Sequence, residues 1–147
     1  MWLRLVLVIA FTLVGAITLS VYSSNESTGI TFHTGSWDDA LSKAKEENKL
    51  IFLDVSASWC GPCKLLKKNT FPDEKVGMFY NIHFINVALD GEVGKGAELA
   101  RKYGVGGYPT LLFIDGEGNL VAQTSGYRNS SSFLKLGKAV VERHNDN

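Results

Sequence analysis

Apolar and polar positions along the chain fall into blocks with different periods. LVLVIAFTLVGAITLSV, from Leu5 to Val21, is apolar on every face and carries no charge. Periodic sequence starts later. Trp37, Ala40, Leu41 and Ala44 stand at i, i+3, i+4 and i+7, which gives a helix with one apolar face. Ser36 with Asp39 three residues on marks its N-cap, and the pattern runs to Asn48. LIFLDVS, Leu50 to Ser56, is a continuous apolar run holding one acid, as expected of a strand buried on both faces. A second helix is predicted from the Gly61-Pro62 step, since proline suits a first helical turn, and it must break before Pro72.

DEKVGMFYN, from Asp73, resumes as helix. FINVALD, Phe84 to Asp90, is a strand, Gly91 to Gly96 a glycine-rich loop, and AELARKYG a helix stopped by Gly104. TLLFID, Thr110 to Asp115, and LVAQT, Leu120 to Thr124, form an antiparallel hairpin across GEGN. Phe133, Leu136 and Val140 line one side of a last helix from Ser130 to Arg143, and ITFH, Ile30 to His33, is a short candidate strand before the first helix. Helices alternating with strands, then a hairpin, then a helix predict an α/β fold whose mixed central sheet is covered by helices on both faces.

The apolar run changes the picture of where this domain sits. A helix of that length reaches about 26 Å, a little short of a hydrocarbon core of about 30 Å. Trp2 and Tyr22 flank it as interfacial aromatics, and Arg4 places the N-terminal side in the cytoplasm. Residues 1–23 therefore read as a signal anchor or a cleaved signal peptide, and both place the body outside the cytosol. Residues 24–29 are a polar linker, and residues 30–147 form one domain. With Lys plus Arg and Asp plus Glu both at 15, the charge balance gives no reason to expect a nucleic-acid partner.

The chain has two cysteines, Cys60 and Cys63, in SASWCGPCK. A disulfide between them closes a ring too small to restrain the unfolded chain much. Zinc needs two further ligands, and His33, His83 and His144 lack ligand spacing. Haem attachment needs histidine after the second cysteine, where Lys64 stands. A redox-active dithiol at a strand–turn–helix junction remains. Only a thiolate attacks a disulfide, and unpaired N–H groups at a helix start favour the thiolate of an exposed Cys60. Cys63, one turn deeper, is placed to resolve the mixed disulfide. Gly61 lets a partner's backbone approach, and Trp59 supplies an apolar neighbour. No cofactor is expected.

LDVSASWCGPCK together with KYGVGGYPTLLFIDGEGN resembles the thioredoxin family over about Ile30 to Arg143, and WDDALSKAKEENKLIFLDVSASWC followed by NTFPDEKV is similar to its extracytoplasmic, membrane-anchored branch. The resemblance implies a thioredoxin fold and a protein disulfide oxidoreductase. It implies that Pro109 is cis, faces the cysteines and presents the backbone of Tyr108 to an extended client segment. Asp54 corresponds to the family's buried carboxylate, whose raised proton affinity suits it to take the proton of Cys63; a strand-end cap is the other reading. Gly126 lines the client groove or is a plain turn glycine. Trp59, Gly61 and Pro62 complete the groove around the pair.

Two positions depart from the family's thioredoxins proper. Ser56 stands where they carry tryptophan, and Asn86 where they carry a lysine near the buried acid. Without that cation, Asp54 is expected to hold its proton more tightly still. The partners implied are client proteins with disulfides, a membrane or soluble electron donor, and the membrane through the N-terminal segment. Reduction or isomerisation of client disulfides is expected, since Gly-Pro between the cysteines goes with reducing members. A client-holding module and a dedicated reductant for cytochrome c maturation are the alternatives.

Overall fold

The computed structural model describes residues 28–146. The expected anchor, its flanking Trp2, Arg4 and Tyr22, and most of the linker lie outside the described residues.

The elements are α1 (Trp37–Glu47), β1 (Leu50–Ser56), α2 (Gly61–Leu65) continued by a π turn (Leu66–Thr70), α3 (Glu74–His83), β2 (Phe84–Asp90), α4 (Gly94–Lys102), β3 (Thr110–Ile114), β4 (Leu120–Ser125) and α5 (Ser130–Asn145). The four strands are ordered β2-β1-β3-β4. β1 and β2 run parallel, and the β1–β3 and β3–β4 pairs are antiparallel. This is the mixed sheet of a thioredoxin-like α/β fold.

β1 is central, and all of it is buried. Its alternation sorts residues between two cores. Ile51, Leu53 and Val55 pack with Trp37, Ala40 and Ala44 of α1 and Leu99 and Ala100 of α4. Leu50 and Phe52 point the other way, into a core with Leu66, Val76, Tyr80 and Phe133. Phe52 meets the rings of Tyr80 at 5.2 Å and Phe133 at 5.3 Å, edge to face in both cases. By the same period of two, Asp54 and Ser56 lie on the Phe52 face, the face that α2 and its π turn cover.

Local chemistry explains the boundaries. Ser36 and Asp39 close a reciprocal capping box on α1, and Asn48 ends it in the left-handed region. Asp73 caps α3, and Asn129 caps α5.

Three expectations change. Ile30 to His33 form no strand. The Ile30 amide donates to the Phe71 carbonyl, the Thr31 amide to Asn81 Oδ1, and the His33 amide reaches β2, at Asn86 O. The donors a strand would give to a ladder are spent on side chains and on the end of the π turn. Gly94, placed in a loop by sequence, opens α4. The helix after the cysteines widens at Leu66–Thr70, where the Phe71 amide reaches back five residues to Leu66 O. That widening puts Leu66, Thr70 and Phe71 together against the sheet, all buried.

Candidate active site

β1 delivers the chain to the site. After Ser56 a turn closed by Cys60 N–H to Ala57 O leads into α2. Cys60 is the N-cap of α2, with extended backbone, and its Sγ accepts a hydrogen bond from the Cys63 amide at 3.2 Å. Pro62 falls in the first turn, where its missing N–H costs nothing. The two cysteines are joined, with their Cα atoms 5.3 Å apart.

Sequence reasoning expected an exposed Cys60; in this oxidised form it is 2% exposed and Cys63 1%. The cause is packing. Ala57 and the two sulfurs form a small buried cluster, and Tyr108 lies against it. The surroundings are open: Gly61 and Pro62 are exposed, and beyond its chain neighbours and its own helix backbone nothing lies within 4 Å of where a Gly61 side chain would begin. Trp59 is 66% exposed, its ring 5.9 Å from that of Tyr108.

The Tyr108–Pro109 peptide is cis. It precedes β3, next to β1 in the sheet, and Tyr108 carries it to the cysteine cluster. Gly126, at φ +88°, donates its amide to Pro109 O at 2.9 Å. The fold thus gathers Trp59, Cys60, Gly61, Pro62, Cys63 and Tyr108 at one end of the sheet, with Pro109 and Gly126 tied together beside them.

Asp54 sits one pleat before Ser56 and is 1% exposed. Its Oδ1 has no hydrogen-bond partner. Burial pushes its carboxyl up to about 7, and the Lys67 ammonium pulls against that rise. Asn86, at the position of the missing family lysine, lies opposite Phe52 in the register, while Ala88 lies opposite Asp54. Asn86 does not serve the acid. Its Nδ2 donates to Asn81 Oδ1 at 3.1 Å and Thr31 O at 3.4 Å, holding the entering segment to α3.

Two residues escaped the sequence reading. Lys67 looks like one more lysine beside Lys64 and Lys68, yet its Nζ reaches Ser56 Oγ at 3.3 Å. Glu92, hidden in the glycine-rich loop, accepts the Trp59 indole N–H on both carboxylate oxygens. No local pattern marks either one, because each acts on a residue distant in the chain.

A disulfide that spans one helical turn adds little to folding, and here it is buried at the start of α2 under Tyr108, at the end of the strand that carries the buried Asp54. Such a site on such a sheet is that of the thioredoxin-like class. The thioredoxin-like domain model matches residues 37–140. The chain is 34% identical over 95 residues to the thiol:disulfide interchange protein DsbD of Yersinia pestis, which covers 63% of this chain but only 16% of that protein. It is 30% identical over 114 residues to an H-type thioredoxin of Fagopyrum esculentum, covering 77% of this chain and 92% of that one. A solution structure from Bacteroides thetaiotaomicron, named as a candidate disulphide-isomerase, shares 46% identity and a TM-score of 0.69, over 78% of this chain and 94% of that one. The chain belongs to the thioredoxin-like family.

Proposed function

We propose that this protein is a thiol–disulfide oxidoreductase that works outside the cytosol, tethered by the apolar run Leu5–Val21, and donates electrons to disulfides of client proteins through Cys60 and Cys63. The observation that carries this reading is the Cys60–Cys63 disulfide at the N-cap of α2, with the Cys63 amide donating to Cys60 Sγ. A backbone N–H aimed at that sulfur stabilises a thiolate there once the pair is reduced.

The cycle balances as follows. An electron-donor dithiol reduces the Cys60–Cys63 bond and is itself left as a disulfide. The Cys60 thiolate attacks one client sulfur; the client S–S bond breaks, and the other client sulfur leaves as thiolate and takes a proton. Asp54 accepts the Cys63 proton, and the Cys63 thiolate attacks Cys60 Sγ. The mixed disulfide breaks, the second client sulfur leaves as thiolate and takes a proton from solvent while Asp54 releases its own there, and the Cys60–Cys63 bond reforms. Two electrons and two protons have passed to the client. Tyr108, ahead of cis Pro109, offers backbone to an extended client segment, with Trp59, Gly61, Pro62 and Gly126 as the groove.

Burial of Cys60 fits this scheme when the client's approach displaces Tyr108, which packs against the pair and meets the Trp59 ring edge to face. The Gly-Pro dipeptide supports a reducing role, with a potential near thioredoxin's, about −270 mV. Equilibration of the purified protein against glutathione tests the direction. A potential above about −180 mV, the range of disulfide isomerases, overturns it. Insulin reduction by the wild type and its loss in Cys60→Ser test the chemistry, and retention of activity in that variant defeats it.

A further inference from the structure

On the Phe52 face of the sheet lies a cavity of about 600 Å³ lined in part by Asp54, Lys67, Ala88, Ile30, Phe71 and Pro72. Lys67 and Ala88 are both exposed, so the cavity reaches the surface at the β2 edge. Asp54 is at its floor with one carboxylate oxygen unpartnered. Ala88 lies directly opposite Asp54 in the parallel ladder, and its methyl leaves the floor uncovered. Lys67 crosses from the π turn, and its Nζ rests on the buried Ser56 hydroxyl two residues from Asp54.

We propose that Lys67, held by Ser56, is the positioning residue that governs the protonation of Asp54, and that Asp54 exchanges protons with solvent through this cavity rather than past the cysteines. The geometry rests on three features acting together. Ser56 has a hydroxyl small enough to admit a lysine stem and polar enough to hold its ammonium. Asn86 is occupied with Asn81 and Thr31 and presents no charge. The π turn sets Lys67 beside the cavity while Leu66 and Thr70 stay buried.

The other titratable groups on elements packed around Asp54 are Asp90 at the end of β2, Lys64 and Lys68 on the cysteine helix, His33 on the entering segment and, after reduction, the Cys63 thiol. β3 sets only Leu111 opposite Asp54. Among these charges, the one acting on Asp54 in the oxidised form is that of Lys67.

The inference rests on the proposed role of Asp54, and the experiment separates the two. The full chain in detergent micelles, carrying 13C-labelled aspartate carboxyls, is titrated by NMR as wild type, Lys67→Gln, Lys67→Arg and Ser56→Ala, and turnover on a disulfide peptide is followed against pH. A cation favours the ionised acid, so its loss raises the midpoint. Lys67→Gln is expected to move the Asp54 titration up by about half a unit to one unit, with Lys67→Arg close to wild type and Ser56→Ala between them. The pH limb of turnover moves with it. An Asp54 midpoint that stays put in Lys67→Gln overturns the inference, whatever the activity. If Asp54→Asn leaves the pH limb in place, the proposed role of Asp54 fails, while a shifted midpoint in Lys67→Gln still supports the coupling. A fifth variant, Ala88→Leu, tests the route. It is expected to slow turnover severalfold at low buffer concentration, and an unchanged rate overturns the cavity as the proton path.

Discussion

The Trp59 indole N–H lies 3.1 Å from each carboxylate oxygen of Glu92, a shared hydrogen bond that fixes an exposed ring beside the cysteine pair. Most of the Trp59 surface is open, and its inner edge meets Tyr108. On the proposed function, a large ring held in one orientation would anchor a client at little further cost, since the entropy of ordering it has been lost in advance.

Glu92→Ala should therefore weaken client docking and leave the bond exchange itself intact. The expected outcome is a KM for a disulfide peptide raised by about two- to fivefold with kcat little changed, as the loss of about 0.5–1 kcal/mol implies. Steady-state kinetics check it, and a fall in kcat at constant KM counts against it.

Asp54 should make the fold less stable as pH rises. Its carboxyl titrates at about 7 in the folded protein because of burial, against about 3.9 when unfolded. Between those values the unfolded chain releases a proton that the folded chain keeps. The favourable term is thus whole below about pH 4 and is lost as pH climbs through about 7. Asp54→Asn should flatten this slope and stabilise the protein at pH 8 by up to about 4 kcal/mol relative to its effect at pH 4. Urea unfolding at the two pH values measures it.

Gly77 admits no side chain. A Cβ there would stand 2.5 Å from the carbonyl carbon and oxygen of Gly29, so the entering segment would have to move. Gly77→Ala is expected to cost about 1–3 kcal/mol. Faster hydrogen exchange at the Ile30 amide, now bonded to Phe71 O, should accompany the drop in urea midpoint.

Cys63→Ala should stop the cycle half way. Without the resolving thiol, the mixed disulfide between Cys60 and the client persists. Non-reducing gels of the variant with a disulfide protein should show a covalent adduct that dithiothreitol removes and that Cys60→Ser never forms.

Most elements were legible because their signals are local. The capping box at Ser36 and Asp39, the apolar run of β1 and the period of α5 need only a few neighbouring residues to be read, and the structure has each of them in place. ITFH was misread because its strand-like composition says nothing about where its amides go; Asn81 and Phe71, about 40 to 50 residues away, take two of them. The cysteine pair was found from spacing and from WCGPCK. Its burial was not, because Tyr108 comes to it from another strand connection.

By itself, the sequence determined the order of elements, the mixed sheet and the identity of the dithiol, since caps, periodicity and the Cys-Gly-Pro-Cys turn act within one helical turn or one strand. Only the tertiary structure decided how the site is tuned. Desolvation of Asp54, the reach of Lys67 to Ser56 and the clamp of Glu92 on Trp59 are sums over groups from separate elements, and a charge or a buried surface takes its value from what packing brings within a few ångströms.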